Sequence, residues 1–343
     1  MVNIAQIGCG YWGPNLLRNF VQNNNCSVKM VADINEERLN YVKMMYPFIN
    51  TTKEFEEILN NDSIDAVVVS TPASSHYEIS KKVIKKGKHI LIEKPIALTS
   101  SKATHLINLA EKSKIVLMVG HTFEYNSAVH TLRDYIVNGK LGKIYYIYSQ
   151  RLNLGKIRND VNAMWNLAIH DISILLYVLK LKPVSVSAKG ISYIQPNIED
   201  VVFMTINFEN NVIAHIHVSW LDPHKVRKMT FVGSKKMIVY DDVSDYKIQI
   251  FDKGIDKKNL TSSLGEFDDF GKFQLIHRAG DVFIPKINFE EPLKVECEHF
   301  LHCIMNNKTP VSDGYDGLRV VSILEAGQKS LNKNGKEISI GTL

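Results

Sequence analysis

Five short apolar runs dominate the first 120 residues: VNIAQIG, SVKMVAD, IDAVVVS, KHILIE and IVLMVG. Each is apolar almost throughout, as expected of a strand buried on both faces of a parallel sheet. Between them lie YWGPNLLRNFVQ, NEERLNYVKMM, FEEILNN, HYEISKKVIKKG and SSKATHLINLAEKS, whose apolar residues recur at helical spacing. Strict strand–helix alternation predicts a doubly wound α/β sheet over residues 1–120.

After residue 120 the pattern changes. A helix is expected over 124–139 and another around 165–179. KIYYIYSQRL, VVFMTINFE, VIAHIHVSW, RKMTFVG and KKMIVYDD then read as strands without helices between them. That order predicts a second, α+β domain over 121–343 with a large, mainly antiparallel sheet. Residues 252–290 lack periodicity and read as a long excursion. Two late helices, 291–306 and about 314–332, close the chain and are free to pack back on the first domain.

Composition excludes several classes. The chain has 343 residues, 45% hydrophobic and 22% charged, which suits a soluble two-domain protein. Its net charge of +5 is spread along the chain and makes no nucleic-acid footprint. No apolar run reaches membrane-spanning length, and MVNIAQIGCG lacks the basic start of a signal peptide. Four scattered cysteines suit a reducing cytoplasm. Cys297, His299, His302 and Cys303 crowd the first late helix, but only His299 and Cys303 share a face, so no metal is expected.

The first strand runs into GCGYWG, where Gly8, Gly10 and Gly13 form G-x-G-x-x-G at a strand–helix junction. Such a loop brings a pyrophosphate onto backbone N–H groups at a helix N-terminus. Asp33 ends the second strand, where a carboxylate binds both ribose hydroxyls of NAD and repels the extra phosphate of NADP. Asp33 and Glu36 also fit a helix capping box. The other strands end in Ser70-Thr71-Pro72, Glu93-Lys94-Pro95 and Gly120-His121. These carboxyl ends share the ligand-binding edge of a parallel sheet. An ammonium at Lys94 can bond a substrate hydroxyl and stabilise the oxyanion formed as hydride departs.

The glycine loop, VVVSTPASSH, ILIEKPIALT and VGHTFEYNSA together resemble the glucose–fructose oxidoreductase/inositol dehydrogenase (Gfo/Idh/MocA) family. The resemblance spans essentially the whole chain. It implies cofactor contacts from Gly8, Gly10, Tyr11, Trp12 and Gly13, from Asp33, from Ser70, Thr71, Pro72 and His76, and from Glu93, Lys94 and His121. It implies a catalytic role for Lys94. It also implies a catalytic histidine on the helix AMWNLAIHDISILLYVL, matched here by His170. The family often has an aspartate four residues earlier; this chain has Asn166, which can orient an imidazole but cannot neutralise an imidazolium.

SQRLNLGKIRND presents Arg151, Asn153, Lys156 and Arg158, cations that could grip a diphosphate. With MWNLAIHDISI and GDVFIPKINFEEPLKVECEHF, this stretch looks like the branch oxidising the 3-hydroxyl of UDP-N-acetylglucosamine or its uronic acid. The resemblance then implies that NAD⁺ takes the hydride, His170 the hydroxyl proton, and Lys94 polarises the oxygen. Tyr125, Asn126 and Trp165 would help seat the sugar. Alternatives are a dehydrogenase of an uncharged polyol and a non-catalytic NAD-binding sensor. A homodimer or homotetramer is expected, with His215 and His217 on a polar sheet face or subunit contact.

Overall fold

The computed structural model describes residues 1–155, 157–259 and 273–341. The apolar runs pair as one parallel sheet. β1 (Val2–Ile7), β2 (Cys26–Ala32), β3 (Asn50–Thr52), β4 (Ala66–Val69), β5 (His89–Glu93) and β6 (Leu117–Gly120) lie in the order β3-β2-β1-β4-β5-β6. That is the order of a dinucleotide-binding sheet, reversing between β1 and β4. Sequence reading omits β3, because Asn-Thr-Thr has no apolar run; it pairs at the sheet edge with Met30–Ala32. The linking helices are α1 (Gly13–Val21), α2 (Glu36–Met45), α3 (Glu56–Leu59), α4 (Ala73–Lys85) and α5 (Ser100–Ser113).

The second half begins with α6 (Ser127–Val137), β7 (Ile144–Leu154) and α7 (Ile169–Leu179). β8 (Pro183–Ile191), β9 (Val201–Phe208), β10 (Val212–Ser219), β11 (Leu221–Gly233), β12 (Met237–Asp241) and β13 (Ile248–Phe251) follow. The excursion over 252–290 contains strands that its charge-rich sequence hides. β14 (Gly254–Asn259) and β15 (Phe273–Arg278) form a two-stranded ribbon, and β16 (Val282–Phe283) joins the main sheet. α8 (Pro292–Asn306), α9 (Gly314–Leu331) and β17 (Ile338–Ser339) complete the chain.

The large sheet runs β16-β13-β12-β11-β7-β10-β9-β8-β17. Its β7–β10 pair is parallel, while β7 pairs antiparallel with β11. Period-two alternation buries Ile147, Ser149 and Arg151 of β7 and leaves Tyr146, Tyr148 and Gln150 exposed. The exposed face is aromatic: Phe203 stacks on His217 at 4.3 Å between ring centroids. Both late helices reach the first domain. Phe300 of α8 meets Phe20 of α1 edge-on at 6.4 Å, and Glu325 of α9 accepts the Ser100 amide of α5 at 3.1 Å. Among the described residues no helix is long and apolar enough to cross a membrane.

Candidate active site

The glycine loop owes its shape to sterics. Gly8 has φ of +94°, and a Cβ there would lie 2.8 Å from the Ser70 backbone, so only glycine fits. A Cβ on Gly13 would sit 2.7 Å from the Gly8 carbonyl oxygen, whereas one on Gly10 would meet no protein atom within 4 Å. Space above Gly10 is therefore open to a ligand. The Gln6 amide donates to the Gly8 carbonyl (2.8 Å) and the Gly13 carbonyl (3.0 Å), and the Ser70 hydroxyl donates to the Gly8 carbonyl (2.7 Å). α1 begins at this loop with no side chain capping its first N–H groups, which leaves them for an anion.

Asp33 closes the same edge. Its carboxylate accepts the Cys9 amide at 2.6 Å and the Asn35 amide at 2.9 Å. The capping-box alternative is corrected: Asn35, not Asp33, caps α2 by accepting the Glu37 amide at 2.8 Å. Burial and then Asp33 push the Cys9 thiol up to about 11. Tyr11 is 85% exposed and Trp12 39% exposed, the latter at the N-cap of α1. Thr71 accepts the Ser75 hydroxyl, and Pro72 begins α4. His76, expected among cofactor contacts, is buried and bonded between two backbone carbonyls. Its Nδ1 lies 2.7 Å from the Pro95 carbonyl and its Nε2 2.8 Å from the Thr71 carbonyl.

β5 delivers Glu93 buried and Lys94 half-buried, with a cis Lys94–Pro95 peptide. Burial pulls the Lys94 ammonium down to about 8 against the opposing pull of Glu93. The same burial raises the Glu93 carboxyl, which Lys94 and the Trp12 indole partly counter. Lys94 is thus a cation that can lose its proton near neutrality. His121, at the end of β6, is buried with both ring nitrogens unpartnered, and burial holds it down to about 4.

His170 stands in the first turn of α7. Burial, then Lys94, then Arg151, hold its imidazole well below the ordinary value, with Arg227 and His121 adding to the effect. It is a neutral ring, the form that accepts a proton. The residue four positions earlier does not orient it. Met164–Ala168 is a π-helical turn, which shifts the spacing from that of an α-helix. The Asn166 amide oxygen instead accepts the Trp220 indole N–H at 3.2 Å. Trp165 donates its indole N–H to Gln328 at 3.2 Å and lines a cavity of about 370 Å³ with Leu98, Asp160, Asn197 and Glu199.

Several expected substrate contacts are placed elsewhere. Arg151 lies on β7, within the stretch read as a strand, and β7 continues through Asn153 to Leu154. Arg151 is buried and bonded twice to Asp171, so its guanidinium is not available to a diphosphate. Arg158 pairs with Asp160 at 2.6 Å on the surface. Lys156 lies outside the described residues. Tyr125 is buried in the core, its hydroxyl 2.9 Å from that of Ser312. Asn126 caps α6 by accepting the Ala128 amide at 2.8 Å.

Sequence reading also misses residues. Gln6 carries the glycine loop, and its signal is present: a fully buried amide in an otherwise apolar strand end. Glu124 and Glu296 are buried carboxyls, both pushed well above the usual range, first by burial and then by Asp316 and Glu93 respectively. Glu296 accepts the Thr122 hydroxyl at 2.7 Å. Their partners come from distant segments, so no local pattern marks them. Among the described residues no group of three or more His, Cys, Asp or Glu could hold a metal ion.

Open space above Gly10, uncapped N–H groups of α1 and a carboxylate at Asp33 fit a dinucleotide with free ribose hydroxyls. NAD⁺ bound there would supply the hydride acceptor, with Lys94 as a candidate cation and His170 as a candidate base. Fold and site together define an NAD-binding oxidoreductase. Two family profiles match the chain: "Oxidoreductase family, NAD-binding Rossmann fold" over residues 2–121, and "GFO/IDH/MocA C-terminal domain" over 129–239. The chain belongs to the GFO/IDH/MocA oxidoreductase family.

Its relatives include UDP-N-acetylglucosamine 3-dehydrogenase of Acidithiobacillus ferrooxidans, 26% identical over 76% of each chain. The solved structure of that enzyme superposes with a TM-score of 0.78 at 22% identity, covering 97% of this chain and 98% of the other. scyllo-Inositol 2-dehydrogenase (NAD⁺) of Bacillus subtilis is 23% identical over 99% of this chain and 96% of its own. Levoglucosan dehydrogenase, solved with NADH and L-sorbose, superposes with a TM-score of 0.82 at 19% identity, covering 100% of this chain and 99% of its own.

Proposed function

We propose that this protein oxidises the 3-hydroxyl of a UDP-N-acetylated sugar, UDP-N-acetylglucosamine or its uronic acid, to the 3-keto sugar. The observation that carries the chemistry is a half-buried Lys94 and a neutral His170 at the carboxyl edge of the NAD-binding sheet. His170 accepts the hydroxyl proton; Lys94, charged, stabilises the developing alkoxide. Similarity to the A. ferrooxidans enzyme supports the nucleotide sugar. Such a ketone is the reactant an aminotransferase needs to make a 3-amino sugar.

A second reading has its own support. Arg151 and Arg158 are both engaged by aspartates, and the scyllo-inositol enzyme aligns over nearly the whole of both chains. Both observations favour an uncharged polyol. The open aromatic face of the large sheet, with Tyr146, Tyr148 and Phe203 exposed, is where a second copy would join in a homodimer or homotetramer.

The deciding experiment follows NADH absorbance with NAD⁺ and UDP-N-acetylglucosamine, its uronic acid, myo-inositol or scyllo-inositol. Each is run with and without 2-oxoglutarate, to reveal a cofactor recycled on the enzyme. Turnover of either UDP sugar supports the proposal and fixes its C6 group. Turnover of inositol alone overturns it.

A further inference from the structure

Among the described residues, no hydrogen bond holds the His170 ring in place. Its Nδ1 is enclosed and has no partner, and the amide at Asn166 is given to Trp220. A catalytic imidazole swinging on two rotatable bonds meets its substrate in many poses, few of them productive. Something else must fix it.

The ring against it is Phe123, in the turn after β6. Their centroids are 5.1 Å apart with 64° between planes, an edge-to-face contact. Phe123 also packs against a cation: the Arg151 guanidinium carbon lies 4.7 Å from its ring centroid, within cation–π range. Arg151 is itself pinned. Its Nε donates to Asp171 Oδ2 at 2.8 Å and its Nη2 to Oδ1 at 3.2 Å, while the Ser149 hydroxyl donates to Oδ1 at 2.9 Å. Arg151, Asp171 and Ser149 are all buried. Asp171 follows His170 in the chain, so the contacts close a ring: His170, Phe123, Arg151, Asp171 and back through the backbone.

We propose that Phe123, clamped by the Arg151–Asp171 pair, is the positioning residue of His170. This rests on the reading of His170 as the base. The clamp differs from a carboxylate partner in its electrical effect. A carboxylate on Nδ1 would favour the imidazolium. Here the groups acting on His170 are Lys94, Arg151, Arg227 and His121, and each favours the neutral ring. The clamp orients the base without charging it.

Two arms test this on the full-length protein. In the first, kcat and KM are measured with NAD⁺ and whichever of UDP-N-acetylglucosamine or scyllo-inositol is turned over. Phe123→Leu should lower kcat about 10–100-fold, up to the ~10²-fold a 1 Å misplacement can cost, with both KM values within about twofold. Phe123→Tyr, which keeps the ring, should retain most of kcat. In the second, ¹³C-labelled histidine NMR follows the titration of His170, assigned with His170→Gln. The midpoint should lie below the ~6.5 of a free imidazole and rise in Arg151→Met/Asp171→Leu, which removes the cation and its partner together. Phe123→Leu within twofold of wild type, Phe123→Tyr as impaired as Phe123→Leu, or an unmoved midpoint in a folded double variant would each overturn the proposal. An active His170→Gln contradicts the base reading instead, and the NMR arm still reports on the clamp.

Discussion

The two sides of the active site are built differently. On the cofactor side, neutral hydrogen bonds between neighbouring strand ends hold backbone in place: Gln6 and Ser70 on the glycine loop, with Asp33 adding a carboxylate on the Cys9 amide. On the substrate side, a buried ion pair and an edge-to-face ring contact hold side chains: Arg151 on Asp171, Phe123 between Arg151 and His170. A site for a cofactor of fixed shape can be made of backbone, which needs glycine and little else. A site for proton transfer must hold side chains at set distances, which needs packing from several elements. The first is written in short contiguous motifs; the second exists only once the chain has folded.

Breaking either side should have distinct consequences. Lys94→Ala should cost about 10²–10³-fold in kcat/KM, the usual loss for one oxyanion donor, with NAD⁺ affinity by fluorescence titration retained. Asp171→Ala should destabilise by about 3–5 kcal/mol in urea denaturation, because it strands the buried Arg151 charge. On the other side, Gln6→Leu removes the amide donor shared by the Gly8 and Gly13 carbonyls, of which Gly8 keeps the Ser70 hydroxyl, and should cost about 1–3 kcal/mol. The smaller figure would mark the cofactor side as the less charge-dependent of the two. Gly10→Ala should leave the melting temperature unchanged, since its Cβ meets no protein atom, yet weaken NAD⁺ binding about tenfold. Arg158→Ala should change stability by less than about 1 kcal/mol, as its pair is exposed. A rise in KM for a UDP sugar in that variant would show that the guanidinium leaves Asp160 for a diphosphate.

The same division governs what the sequence reveals. The parallel sheet, the glycine loop, Asp33 and Lys94 can all be read, because apolar period and strand-end residues are local. His170 is reached through family resemblance, on a helix whose apolar pattern conceals the π-helical turn at Met164–Ala168. That turn is why Asn166, four residues before the histidine, faces Trp220. Arg151 misleads for a related reason. A lone arginine near a strand end looks like an exposed cation until the partner on α7, Asp171, is known. Tyr125 bonds to Ser312, a contact that no local sequence pattern announces, and Asn126 caps α6. β3 and β14 are invisible because Asn50–Thr52 and Gly254–Asn259 contain almost nothing apolar.

At the centre of the proposed mechanism stands Lys94, whose ammonium burial draws below its ordinary range. The sign of its effect is definite. Burial draws the ammonium down to about 8, so the charge that stabilises the alkoxide is present below that pH and lost above it. His170 stays unprotonated throughout that range, its own protonation lying well below the ordinary value, so it adds no limb there. The most direct test is the pH dependence of single-turnover NADH formation in wild type and Lys94→Arg, with saturating NAD⁺ and the best substrate. The wild-type rate should fall along an alkaline limb near 8. In Lys94→Arg that limb should vanish from the measurable range, because a guanidinium keeps its proton to ~12.5 or above. A limb that persists unchanged in Lys94→Arg would assign it to another group and contradict Lys94 as the cation that stabilises the alkoxide.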